Sequence, residues 1–188
     1  MKIGLVIIGV LVLCGLLFGS KYVGIRNTLS TERESVSSAW SQIDADLQRR
    51  ADLIPNLVET VKGYAKEETG VIQAISNARA AMIGAKSPQE KIDANNQLSG
   101  ALGRLLVISE NYPNLKANEN FKMLQFQLEG TENRILQSRR RYNEAVQKYN
   151  TDIQLFPNNV VASMSGFQRN DAYFKTDVGS RDAPKVAF

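Results

Sequence analysis

The first residues of the chain form an uninterrupted apolar stretch. Between Ile3 and Gly19 no residue is charged or strongly polar, and Lys2 and Lys21 flank the stretch. As a helix rising about 1.5 Å per residue, it would span roughly 25 Å, slightly less than the hydrocarbon core of a bilayer. An aromatic residue after it can extend the anchor into the interface. We therefore predict a transmembrane anchor over residues 1–24, formed by Ile3, Leu5, Ile7, Leu11, Leu16, Phe18 and Tyr22.

Two other interpretations of this stretch stay open. A cleaved signal peptide needs small residues one and three positions before the cut, and Leu13, Leu17 and Phe18 interrupt every such pair. Lipidation of Cys14 would favour a small residue before the cysteine, where Leu13 stands. An uncleaved anchor is the best of the three interpretations.

After the anchor, apolar residues recur at steps of three and four, the pattern of amphipathic helices that bury one narrow stripe. The first stripe, which has a gap near Ala51, comprises Val36, Trp40, Ile43, Leu47, Ile54, Val58, Val61 and Ala65. Pro55 lies inside this stripe, so either the helix kinks there or Asp52 caps a new helix. We favour a kinked helix that continues to about Ile83.

A second helix begins at Ser87-Pro88-Gln89-Glu90. Ser87 can cap the helix, proline fits its first turn, and Glu90 completes a capping box. The helix is expected to end at Tyr112-Pro113, since a residue before proline avoids the helical conformation. Residues 114–118 are predicted to form a loop.

The clearest stripe follows this loop. Its apolar residues are Phe121, Leu124, Leu128, Ile135, Tyr142, Val146, Tyr149, Ile153 and Phe156. They predict a third helix that ends at Phe156-Pro157, with a short helix over residues 160–164 after it. Beyond Phe174 the chain is polar, and we expect residues 175–188 to be a disordered tail.

Narrow apolar stripes must be buried against one another. The predicted fold is therefore all-α: an N-terminal transmembrane helix followed, over residues 25–174, by an antiparallel bundle of three long helices and one short helix. The residues expected to form the bundle core, or an interface between chains, are Trp40, Ile43, Leu47, Ile54, Val58, Leu124, Leu128, Tyr142 and Tyr149.

The amino-acid composition excludes several kinds of catalytic and metal-binding site. The sequence has no histidine and only one cysteine, so it lacks the commonest general base and offers no cysteine-based zinc site or internal disulfide. Acidic pairs such as Asp44 and Asp46 are best explained as solvated helix faces. The arginines at 139–141 spread around a helix without interleaved aromatics, and the net charge is a mild +4. We predict no enzyme activity, no cofactor, no metal and no nucleic-acid partner.

Several longer segments carry a resemblance to a known family. The segments Ala39–Asp44, Arg49–Tyr64 and Glu110–Asn118 resemble the LemA family of bacterial proteins, as do Tyr142-Asn143 and Phe156-Pro157. The resemblance extends from the anchor to about Phe174. It implies a membrane-anchored antiparallel helical bundle, and it brings no activity or cofactor with it.

The pairing of an anchor with long stripes and no catalytic chemistry favours a membrane-bound scaffold that self-associates and organises or shapes membrane. The alternative is an adaptor or regulator that binds another membrane protein, such as a protease or sensor kinase. The expected partners are the lipid bilayer and further copies of the chain. We place the protein in the bacterial cytoplasmic membrane as a single-pass protein. The positive charges after the apolar stretch, on Lys21, Arg26 and Arg33, favour a bundle on the cytoplasmic side.

Overall fold

A computed structural model of the chain describes residues 2–174, with side chains described from Gly9 onward. This part of the chain contains six helices: α1 (Lys2–Tyr64), α2 (Thr69–Gly84), α3 (Pro88–Ser109), α4 (Pro113–Ala117), α5 (Glu119–Asp152) and α6 (Asn158–Ser165). No strand occurs between residues 2 and 174, so the predicted all-α class is confirmed. The tail predicted over residues 175–188 lies outside the described residues.

The apolar stretch and the first bundle helix form one continuous element, α1. The prediction that the helix continues through Pro55 is confirmed, because this proline lies inside α1. Small polar residues after the apolar stretch satisfy their hydroxyl groups by bonding back to the helix backbone. The Thr28 and Thr31 hydroxyls donate to carbonyl oxygens four residues earlier, at 3.1 and 3.0 Å.

The predicted count of three long helices and one short helix is wrong, and the first error lies after Tyr64. One helix was expected to continue to Ile83, but residues 65–68 separate α1 from α2. The buried positions stay in phase across this break, since Ala65 follows Val61 by four residues and Ile72 follows Ala65 by seven. Hydrophobic periodicity therefore carries no sign of it.

The second error is the loop predicted over residues 114–118. Pro113 begins a short helix, α4, whose Leu115 side chain is fully buried. The start of α3 is as predicted: the Ser87 hydroxyl accepts a hydrogen bond from the Glu90 amide at 3.2 Å. The Glu90 carboxylate accepts from the Lys86 amide at 2.7 Å, one residue earlier than in a standard capping box.

The described residues form two compact units. Unit 1 contains Lys2–Trp40 together with Arg141–Asp171, and unit 2 contains Ser41–Arg140 together with Ala172–Phe174. In unit 1 the Trp40 and Tyr142 rings meet edge to face, with centroids 5.6 Å apart, and Glu32 pairs with Lys148.

Contacts inside unit 2 follow the same pattern. The Ser138 hydroxyl donates to Asp46 at 2.7 Å, and Arg50 pairs with Glu132. In each unit, later residues of α1 therefore meet earlier residues of α5, as the predicted antiparallel arrangement requires. Unit 2 also contains α2 and α3, which pack against each other.

Candidate functional site

The most unusual feature of unit 2 is a buried arginine. Arg50 lies three residues after Leu47 and four before Ile54, so it occupies a position of the buried stripe of α1 and is only 4% exposed. An arginine is rarely buried unless it is paired. It fills the gap that the apolar pattern leaves next to Ala51.

Three partners from two other helices surround Arg50. Its Nη1 atom donates to Asn95 Oδ1 at 2.7 Å and to Ser99 Oγ at 3.1 Å, both on α3, and it pairs with the Glu132 carboxylate of α5. We call these four residues the Arg50 cluster. The cluster joins α1, α3 and α5 within unit 2.

The electrostatics of the cluster are set by burial. Burial lowers the pKa of Arg50 and repulsion from Arg139 lowers it further, whereas the neighbouring Glu132 raises it. The guanidinium stays charged, since arginine does not lose its proton in proteins. Two buried donors, Arg50 Nε and Asn95 Nδ2, have no partner among the described residues. The cluster therefore retains hydrogen-bonding capacity that the described residues do not use.

The Arg50 cluster borders a groove of about 490 Å³. Ser99, Gln125, Glu129 and Glu132 contribute polar groups to its lining. The rest of the wall is mainly apolar and comes from α1, α3 and α5, through Leu57, Leu102, Leu105, Leu106, Phe121 and Leu128. A groove of this kind suits an apolar side chain or helix better than a charged small molecule, because Glu132 already neutralises Arg50.

Large apolar side chains are also exposed on α3 and α5, two of the helices that line the groove. Leu106, which lines the groove, is 50% exposed, and its neighbour Val107 is 72% exposed. On α5, Phe126 follows the lining residue Gln125 and is 77% exposed. We call Leu106, Val107 and Phe126 the apolar rim. Exposed apolar side chains on the helices that border an apolar groove are a feature of interaction surfaces.

A second charged group lies in unit 1. Glu32 is almost fully buried and pairs with Lys148, which also donates to Asp152 Oδ2 at 2.9 Å. Burial raises the pKa of Glu32 and a hydrogen bond with Asp152 raises it further, while Lys148 opposes both. The pKa of Asp152 is lowered, first by its hydrogen bond with Glu32 and then by Lys148. In the side chains described between residues 9 and 174, no three acidic or cysteine groups are placed to hold a metal ion.

Most of the predicted anchor residues whose side chains the structure describes are not covered by protein. Leu11, Leu16 and Phe18 are exposed, and Tyr22 is half-buried. By length and composition, α1 is apolar enough from Gly9 onward to cross a membrane. The side chains of three further predicted anchor residues, Ile3, Leu5 and Ile7, lie outside the described residues.

The residues proposed for the core or an interface lie mostly inside the chain. Trp40 is half-buried, and the others are buried: Ile43, Leu47, Ile54, Val58, Leu124, Leu128, Tyr142 and Tyr149. A surface for a second copy must therefore come from other residues. Sequence reasoning missed both the Arg50 cluster and the apolar rim. Only the gap in the first stripe hinted at the cluster.

Comparison with known proteins gives a consistent result. A sequence model described as the LemA family matches residues 39–188. Magnetosome protein MamQ 2 of Paramagnetospirillum magneticum is 26% identical over 186 residues, covering 85% of this chain and 68% of the relative. Protein LemA of Metamycoplasma hominis is 26% identical over 145 residues, covering 75% of this chain and 65% of the relative. Neither of these relatives carries the name of an enzyme.

Proposed function

The chain belongs to the LemA family, and we propose that it is a membrane-anchored scaffold whose copies associate through the groove and apolar rim of unit 2. The apolar start of α1 and the family together indicate a membrane-associated protein. We further propose that the protein crosses the bacterial inner membrane once and carries its bundle in the cytoplasm. Self-association of the bundles would then organise the membrane.

The apolar rim is the observation that carries this proposal. Full burial of a phenylalanine or leucine side chain is worth about 1.5–3 kcal/mol, which a monomer leaves unused at Leu106, Val107 and Phe126. The same unit carries both projecting apolar side chains and an apolar groove. One copy can thus offer Phe126 to the groove of the next, a contact that repeats into rings or filaments.

The relatives support a structural role in one limited respect. Several of them are named as magnetosome proteins, a name that refers to a cellular structure rather than to a reaction. We carry over only the idea of a non-enzymatic role.

The cytoplasmic placement is supported by Lys21 and Arg26 after the apolar stretch. Protease added to spheroplasts should leave the bundle intact and should digest it after lysis.

The test of self-association is the mass of the full chain in mild detergent or native lipid particles. We expect a regular homo-oligomer, and we expect Phe126→Asp to shift it towards the monomer while its helix content is retained. Ile83→Asp is the matched control, since Ile83 is 49% exposed on α2 and belongs to neither the groove nor the apolar rim. A monomeric wild-type protein, or an unchanged mass for Phe126→Asp, would rule out the scaffold.

The adaptor function is the second candidate, and the unused donors of the Arg50 cluster favour it. Arg50 Nε and Asn95 Nδ2 could bond acceptor groups of a foreign membrane protein, such as a protease or sensor kinase, bound in the groove. Affinity purification from native membranes separates the two functions. One stoichiometric foreign protein would favour the adaptor, and self-association without a foreign protein would favour the scaffold.

A further inference from the structure

The outer face of α6 is apolar where a water-facing helix would be polar. Val161 and Ala162 point into unit 1 and are buried. Val160 and Met164, one turn apart on the opposite side of this short helix, are nevertheless 49% and 72% exposed. In the preceding turn Phe156 is also exposed, so the apolar surface extends beyond the helix.

The contacts of α6 place this apolar surface near the end of the predicted membrane anchor. The Tyr22 hydroxyl shares a hydrogen bond of 3.0 Å with Ser165 Oγ, in the last turn of α6. Tyr22 directly follows the apolar stretch and Lys21, where tyrosine typically marks the membrane–water interface. The eight residues of α6 rise about 12 Å, so Val160 and Met164 lie close to the level at which α1 leaves the bilayer.

The chain around α6 is fixed in place. Gly166 ends the helix in the left-handed conformation, with φ of 73°, and the Phe167 amide donates to the Ala162 carbonyl at 3.0 Å. The Phe167 ring then lies 5.3 Å from the Arg33 guanidinium of α1. The Tyr149 hydroxyl of α5 donates to the Gln168 carbonyl at 2.9 Å. These contacts hold α6 against α1 and α5 with its apolar face outward.

From these observations we infer that the outer face of α6, through Val160 and Met164, lies in the headgroup region of the bilayer as a second membrane contact. The occupant is lipid because this face continues the surface of α1, whose apolar start is uncovered by protein. Lys21 and Arg26 are exposed nearby and can meet lipid phosphates. The contact would fix the tilt and rotation of unit 1 at the membrane. It rests on the membrane attachment in the proposed function and is independent of self-association.

The test places a single tryptophan on this face of the full chain, reconstituted in vesicles of phosphatidylcholine and phosphatidylglycerol. The background is Trp40→Phe, which removes the only natural tryptophan and keeps a ring beside Tyr142. Met164→Trp is compared with Met123→Trp, because Met123 is 54% exposed on α5 in unit 2. We expect lipids brominated near the headgroup to quench Met164→Trp and to leave Met123→Trp unaffected.

Two results would overturn the inference: equal quenching of both variants, or no lipid quenching at Met164→Trp, including the case in which Met164→Trp is protected from aqueous acrylamide without quenching by lipid. That last case would assign this face to a protein partner. A nitroxide on Met164→Cys in a Cys14→Ser background repeats the comparison should Trp40→Phe disturb the fold. A monomeric protein that is still quenched at Met164→Trp would remove the scaffold and keep this membrane contact.

Discussion

Replacing Glu132 by glutamine tests how far the stability of the fold depends on the one carboxylate that pairs with the buried Arg50. Glu132→Gln keeps the shape of the side chain and removes its charge, so Arg50 retains only neutral acceptors on Asn95 and Ser99. Arg50 itself cannot escape to water, since its side chain is 5% exposed. The variant should therefore fold less stably.

The expected loss of stability follows from the exposed fractions of the Arg50 and Glu132 side chains. Removing one partner of a fully buried ion pair costs about 3–5 kcal/mol. The Glu132 side chain is 32% exposed, so water already screens part of the attraction, and the remaining acceptors still hold Arg50. We expect a loss of about 2–3 kcal/mol, or a fall in Tm of about 5–10 °C for a chain of this size.

Thermal unfolding of the full chain in detergent, followed by circular dichroism, measures this loss. Glu129→Gln is the matched control, because Glu129 is an exposed groove residue one turn earlier on α5, and its Tm should barely change. Adding Arg50→Met to Glu132→Gln should recover much of the stability, since the cluster then contains no buried charge. A Glu132→Gln protein as stable as the Glu129→Gln protein would refute this account of the cluster.

Three further changes test other parts of the structure. Leu128→Asp buries an unpaired charge at a position that is 7% exposed, and should cost about 3–5 kcal/mol in thermal unfolding, whereas Phe126→Asp should keep its helix content. Because burial holds the pKa of Glu32 above its usual value, its charge destabilises the fold as the pH rises through that pKa. Glu32→Gln should therefore raise Tm at neutral pH, where Lys148 is too exposed to compensate, and this gain should vanish in acid; a gain that grows in acid would contradict the reasoning. Ser87→Ala should lose about 1 kcal/mol, measured as the shift of the denaturation midpoint, and a loss near zero would mean that the cap does not stabilise α3.

The fold class could be predicted because its cause is local and repeated. Stripes at three- and four-residue steps require burial on one side of each helix, and the capping residues at Ser87 mark the start of α3. The break at residues 65–68 could not be predicted in this way. Buried positions on both sides of it share one spacing, and the contacts that accompany it join residues far apart in sequence, such as Tyr112 with Glu68 at 2.9 Å.

The Arg50 cluster escaped prediction for a related reason. The phase of the stripe separates Arg50 from the exposed Arg49, but it does not show whether an arginine at that position is buried or reaches out to solvent. Its burial depends on Asn95, Ser99 and Glu132, which come together only when three helices pack. The gap in the stripe locates the position without identifying its partners.

We assign the exposed apolar residues of unit 1 to a lipid contact and those of unit 2 to a protein contact. The lipid-quenching experiment tests the first assignment directly and affects the second. Val160 and Met164 would mark a protein interface on a soluble protein, but their helix is bonded to Tyr22 at the end of the anchor. If lipid covers α6, these residues no longer count towards a protein interface. The exposed apolar residues available to a protein partner then include the rim of unit 2, whose most exposed member is Phe126. Lipid quenching at Met164→Trp would therefore strengthen the case for placing self-association at Phe126, and its absence would leave two surfaces competing for that role.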